Sequence, residues 1–325
     1  MKTLPTMRDE DLPRTLVRTP AREPRSAART ALHAVAGLLL VAPYWLAAAL
    51  RGVPGLRLRA KGLTFGLRAL LAPGRLSLHA IFHLLCMPME STRYFEFGFT
   101  DKALAGLRPR RYLDVSSPRL MPVTLIDERP DMQALLVNPN PRDLAETAAF
   151  VALTGAGDRT RLESRLVTEL PLDAAGFDLI TCLSVLEHIP DDFGAVRHLW
   201  ALLAPGGTLV LTMPCMARAS RQMIDQDEWG LLDKDENGHV FWQRFYDRAL
   251  LESRVFCTTG APLSEEIYGE KKAGAMVQNS EHKRADPSYP YWKEPWMMAV
   301  GYTNFARLED LPGEGVIGLV FRKPA

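Results

Sequence analysis

The chain has 325 residues, 47% apolar and 24% charged, an ordinary globular composition that excludes a disordered or fibrous protein. Its four cysteines, Cys86, Cys182, Cys215 and Cys257, form no CxxC pair, which excludes a disulfide framework or zinc ribbon and makes a reducing, cytoplasmic setting the expectation. The net charge of +1 hides an asymmetry: residues 1–75 carry 13 Lys/Arg against 4 Asp/Glu, and the remainder 26 against 34.

A basic front end on a mildly acidic body suits an anionic membrane surface or nucleic acid. The arginines of the first thirty residues have no interleaved aromatics and no nucleic-acid motif, so lipid is the expected contact and nucleic acid is not. Residues 1–30 are rich in Arg and Pro with little to bury, and are expected to form a disordered basic arm. Residues 31–50, ALHAVAGLLLVAPYWLAAAL, carry no charge and are long enough to span a bilayer, to lie in its interface, or to form a buried helix.

Arg51, Arg57, Arg59, Lys61, Arg68 and Arg75 follow, then a second uncharged stretch at 76–88. Basic flanks on both sides give no orientation and favour a helix lying in the interface over one crossing. His79 and His83 stand four apart in an apolar setting with no third ligand, so no metal site is expected. Residues 31–109 thus read as a helical, basic, apolar extension associated with the cytoplasmic face of a membrane.

From residue 110 short strands and helices alternate. Strands are expected at 111–115, 134–138, within 161–167, at the apolar run inside FDLITCLSVLEHIPDD (177–192), and at 208–213. Ser117 and Pro118 are expected to open a helix as N-cap and N1, and Asn140 and Pro141 to do the same for the next. Alternation of this kind predicts an α/β fold with a doubly wound, mostly parallel sheet. Its ligand crevice lies beyond the carboxyl ends of the strands. There the helix start after Asp114, with Ser116, Ser117 and Arg119, offers donors to an anionic group.

The order YLDVSSP, a strand ending near 138, LP, FDLITCLSVLEHIPDD and LLAPGGTLVLTMP resembles class I S-adenosylmethionine-dependent methyltransferases of the LP…FD…SVLEHI…PGG branch, which act on small molecules, sugars and lipid-like acceptors. The resemblance covers about 110–215. It extends through 241–255 and the closing strand at 315–324, with inserts at 216–240 and 273–312. It implies a Rossmann-like seven-stranded sheet over residues 110–325 and S-adenosylmethionine as cofactor. It places Asp114, Ser116 and Ser117 on the amino-acid part of that cofactor, Asn138 near the ribose, Leu166 near the adenine, and Ser184 at the end of the central strand.

Three of those positions depart from the family: Ser116-Ser117-Pro118 replaces a glycine-rich loop, and Asn138 and Leu166 stand where acids are usual. The implied reaction is methyl transfer to an oxygen, nitrogen or carbon of a small, apolar or lipid-type acceptor. His188 is the available general base, with Glu187 beside it. Trp229 and Trp242, with Phe241, Tyr289, Tyr291, Trp292 and Trp296, are expected to form an acceptor pocket or lid. The alternative is a methyltransferase fold without turnover that serves a partner protein or membrane.

Overall fold

The computed structural model describes residues 9–17, 26–225, 234–286 and 289–325. The strands, in chain order, are β1 (Arg14–Val17), β2 (Arg111–Val115), β3 (Gln133–Val137), β4 (Thr160–Glu163), β5 (Phe177–Leu183), β6 (Leu203–Cys215), β7 (Ser220–Ile224), β8 (Val240–Phe245), β9 (Ser264–Glu270), β10 (Tyr302–Phe305) and β11 (Gly315–Arg322). The helices are α1 (Ala27–Leu50), α2 (Leu56–Leu71), α3 (Leu78–Cys86), α4 (Arg93–Ala103), α5 (Leu120–Glu128), α6 (Pro141–Val151), α7 (Asp192–Leu202), α8 (Arg248–Leu251), α9 (Cys257–Thr259), α10 (Ala275–Ala285) and α11 (Glu294–Gly301).

The main sheet has eight strands in the order β10-β9-β11-β6-β5-β2-β3-β4. β4, β3, β2, β5 and β6 run parallel, and β11 enters antiparallel between β6 and β9. Seven of these are the expected sheet; β10, from the insert at 273–312, adds an eighth at the edge. Apolar residues on both faces of the central strands fill two separate cores, because alternate side chains leave opposite sides of the pleat. Leu179 and Leu183 of β5 pack with Tyr94, Phe95, Phe97 and Phe99 of α4, whereas Ile180 and Cys182 pack with Val196 and Leu199 of α7.

The helical extension is continuous with the first core, which contains Leu58 and Phe65 of α2 and Leu84 of α3. A Cβ on Gly318 of β11 would lie 2.5 Å from the Phe99 ring, so glycine is what lets α4 lie this close to the sheet. Arg57 pairs with Asp101 and Glu128, Lys61 with Asp127 and Glu128, and Arg68 with Asp127. Buried Arg59 donates to the Tyr94 hydroxyl and the Cys86 carbonyl. These four cations were expected at a lipid surface; Arg57, Lys61 and Arg68 instead pair with acids of α4 and α5, and Arg59 donates to Tyr94 and Cys86.

The arm is also more structured than expected. β1 pairs in parallel with β7, and β7 with antiparallel β8, giving a separate three-stranded sheet. Leu12 is buried in the second core. Asp9 accepts from Arg244 and Arg254, and both arginines also pair with buried Asp192. The second aspartate of the EHIPDD motif thus holds a buried guanidinium pair under the loop that carries Glu187 and His188.

Candidate active site

Chain order reverses between β2 and β5: from β2 the chain steps outward through β3 and β4 and then crosses to β5. That switch point opens a crevice beyond the carboxyl ends of the two strands. Ser116 and Ser184 follow those ends, and both are left-handed, with φ of 49° and 50°. Each nevertheless continues the sheet, Ser116 N–H donating to the Val137 carbonyl and Ser184 N–H to that of Thr212. A side chain in this region costs about 1–2 kcal/mol, so Ser116 adopts the backbone of the usual glycine without its ease.

Ser117 does not cap α5, which starts at Leu120 with Arg119 as N-cap. Pro118 has no N–H to give, and the chain needs two further residues to turn into the helix. Ser117 N–H donates to Asp114 Oδ2 at 3.1 Å, and its hydroxyl accepts from Leu183 N–H at 3.1 Å, bridging the switch point. Asp114 is buried and also accepts from Thr181 at 2.7 Å and Tyr112 at 3.1 Å. Burial pushes its carboxyl up to about 6 against the lowering effect of those hydrogen bonds.

Asn138 does not present an open amide. Its Oδ1 accepts from Asn140 N–H at 2.8 Å, and its Nδ2 donates to Asp143 at 2.6 Å. Asp143 in turn pairs with Arg119, which also holds Glu146. The carboxylate beside the strand end is therefore Asp143, from the first turn of α6, and not a residue of the strand. Leu166 is half exposed, and its N–H donates to Glu169 at 3.0 Å; its side chain has no polar atom for an adenine.

The opposite wall comes from α4, which sequence reasoning missed. Glu96, fully buried, accepts from the Ser184 hydroxyl and pairs with Arg93. A lone acid inside RYFEFGFT, whose Tyr94, Phe95, Phe97 and Phe99 are all buried, was the available signal. Glu187 is buried nearby, and its Oε2 has no hydrogen-bond partner. Burial, reinforced by the charge of Glu96, raises its carboxyl to about 8, so it is protonated at neutral pH.

His188 Nδ1 lies 2.5 Å from the Trp242 carbonyl, and because a carbonyl only accepts, Nδ1 carries the proton. The lone pair of the neutral ring is then on Nε2, which stands 3.8 Å from Glu187 Oε1. Burial lowers the imidazole to about 4, with Arg93 and Arg244 adding repulsion to a second proton. The Trp242 ring meets the imidazole edge-on at 5.1 Å.

The expected aromatic lid is divided. Trp242 sits at His188, whereas Trp229 lies outside the described residues. Trp292 packs on His33 of α1 at 4.6 Å between ring centroids, and Trp296 lies under Arg51 at 4.7 Å. Tyr289 stacks edge-on with Tyr291. Trp292 and Trp296 thus hold α1 against the body, while Tyr289 packs on His282 of α10 and Tyr291 on His83 of α3. Among the described residues no cluster of three metal-ligating side chains occurs.

The strand order and the crevice at its switch point define a class I, Rossmann-like methyltransferase fold. Comparison with known proteins agrees: residues 106–254 match the family model described as a methyltransferase domain. This stretch is a methyltransferase domain of the S-adenosylmethionine-dependent class. The chain is similar to the ubiquinone biosynthesis O-methyltransferase of Bordetella avium (strain 197N), 30% identical over 125 residues, or 37% of this chain and 49% of that protein. Its counterpart in Xanthomonas oryzae pv. oryzae (strain PXO99A) is 31% identical over 136 residues, covering 38% and 56%.

The chain thus spans about half the length of these relatives. Among solved structures, N-methyltransferase NodS from Bradyrhizobium japonicum WM9 in complex with S-adenosyl-L-homocysteine aligns at a TM-score of 0.40 and 14% identity. That alignment covers 72% of this chain and 87% of NodS.

Proposed function

We propose that the chain transfers a methyl group from S-adenosylmethionine to a hydroxyl oxygen of a small, apolar acceptor, at a membrane surface. The methyltransferase-domain match over the crevice that holds His188 carries the reading. The relatives' O-methyltransferase names support oxygen as the atom methylated.

The crevice suits a cationic ligand at one end. Asp114 and the Arg93-paired Glu96 are its carboxylates, and the unpartnered Oε2 of protonated Glu187 is a buried polar group left for a ligand. Asp114, Ser116, Ser117 and Ser184 would surround the amino-acid part, with Asn138 and Asp143 near the ribose and Leu166 against the adenine. The cofactor supplies an activated methyl on a sulfonium, so the protein's task is alignment and exclusion of water.

His188 is the group that takes the acceptor's proton. Its tautomer is fixed by Trp242, so Nε2 receives the proton from the hydroxyl while Nδ1–H stays on the carbonyl. The low basicity of the ring keeps Nε2 unprotonated at neutral pH. Protonated Glu187 contributes no negative charge to stabilise the imidazolium until it ionises, so the rate should rise as pH passes about 8.

Membrane contact is supported by α1. One stripe, at His33, Gly37 and Ala48, is packed on the body, while Leu32, Val35, Leu38, Leu39, Leu46 and Leu50 are exposed. Because the packed stripe runs along the helix, α1 lies on the body and suits an interfacial helix better than a crossing one.

A second reading, a methyltransferase fold that binds partners without turnover, is favoured by the Ser117–Leu183 bridge and the engaged amide of Asn138. Transfer of labelled methyl from S-adenosylmethionine into a bacterial membrane-lipid extract tests the proposal. His188→Ala should lower it by about 100-fold to 10,000-fold, the usual loss for a general base. Label transfer unchanged within about threefold, far short of that range, would show that His188 is structural.

A further inference from the structure

At the carboxyl end of α1 the chain forms a pocket of about 370 Å³. It is separate from the crevice, lying between α1, α4, α11 and the outer strands β9 and β10. Three cations line it, Arg51, Lys102 and Lys271, with one acid, Glu266. Glu266 pairs with Lys102. Among the described residues neither Arg51 nor Lys271 has a carboxylate partner: Arg51 lies over the Trp296 ring, and Lys271 Nζ donates to the Val300 carbonyl at 3.2 Å. Thr303 and Asn304 add neutral hydrogen-bonding groups to the wall.

We infer that this pocket receives the phosphate headgroup of an anionic phospholipid whose leaflet covers the exposed face of α1. The inference rests on the membrane reading above and adds a lipid class to it. Charge and position argue together. Arg51 directly follows Leu50, which is 80% exposed, and Val300, 43% exposed, follows the α11 residues that form the pocket wall. Apolar side chains and cations therefore meet at one edge, the arrangement an interfacial helix needs: acyl chains on one side and phosphates at the rim. No charge interrupts the apolar face between Arg29 and Arg51. The four basic residues of α2 that would otherwise attract phosphates are tied to α5, Asp101 and α4. The cationic contribution on this side thus falls to Arg51 and Lys271.

The test is sedimentation of the full chain with vesicles of phosphatidylcholine alone and of phosphatidylcholine with phosphatidylglycerol. The intact chain should bind both and prefer the second. Arg51→Ala with Lys271→Ala should keep binding to neutral vesicles and lose the preference, by about 30-fold at roughly 1 kcal/mol per basic residue. Both side chains are exposed, so an unchanged melting temperature is expected and checks the fold. A preference that survives the double substitution overturns the pocket and leaves the membrane reading standing. Failure of the intact chain to bind either vesicle overturns the membrane reading itself. Displacement by a few millimolar inorganic phosphate, with equal binding to the two vesicles, would assign the pocket to a soluble phosphate and overturn the lipid.

Discussion

Asp9→Ala is the most informative test of how the loop under the active site is held. Arg244 is fully buried and donates to Asp9, to the Ile189 carbonyl at 2.6 Å and to the Pro190 carbonyl at 3.0 Å. Arg254 reaches Asp9 at 3.0 Å and Asp192 at 2.6 Å. Two guanidinium groups are thus balanced by two carboxylates, and removing Asp9 leaves Asp192 alone against both. Losing one partner of a fully buried pair costs about 3–5 kcal/mol. The Asp9 side chain is 23% exposed, so water offsets part of this and about 2–4 kcal/mol is expected. For a chain of this size, with an unfolding entropy of about 0.7 kcal/mol/K, that corresponds to a fall of roughly 3–6 °C in melting temperature, read by differential scanning calorimetry. Because Arg244 also holds the carbonyls following His188, methyl transfer should fall in the same variant. A melting temperature within about 1 °C of the parent, below the smallest shift expected, would mean that the arm does not close this network.

Glu187→Gln should leave stability unchanged near pH 5 and raise it increasingly above. The folded carboxyl, raised to about 8, holds a proton that the unfolded one gives up near its ordinary value, so its contribution is present below about 4.5 and is lost as pH rises through 8. Thermal melts from pH 5 to 9 that run parallel for the two proteins would refute this. Ser117→Ala leaves the buried Leu183 N–H without its acceptor and should cost about 1–3 kcal/mol by urea denaturation; a loss under about 0.5 kcal/mol, below that range, would show that the bridge is replaceable. Deletion of residues 1–88 should give an insoluble or unfolded product, because it removes Phe65 from the first core and the cations that pair with Asp101, Asp127 and Glu128. A cooperative melt of the truncated chain would contradict that.

The parallel strands were legible because burial on both faces writes an uninterrupted apolar run, and FDLITCL is such a run. The cap at Asn140 was legible for a local reason: its side chain accepts from the N–H groups of Arg142 and Asp143. What failed was set by partners far along the chain. Nothing near Arg57 or Lys61 announces that α5 will present Asp127 and Glu128 to them. Nor does RTLV announce that it will pair with a strand 207 residues away, Arg14 opposite Arg221. Asn138 and Ser117, read as cofactor ligands by position, also engage Asp143 and Leu183, contacts the sequence did not signal. Glu96 was passed over because it belongs to the helical extension, which reads as a separate unit until its aromatic neighbours are seen on the sheet.

Isothermal titration of the intact chain with S-adenosyl-L-homocysteine is the decisive experiment, since it needs no acceptor and no turnover. Saturable binding is expected, and it should be kept in His188→Ala if that residue takes a proton and does not hold the cofactor. No heat at millimolar ligand would contradict cofactor binding and leave the chain as a methyltransferase fold that works by binding alone.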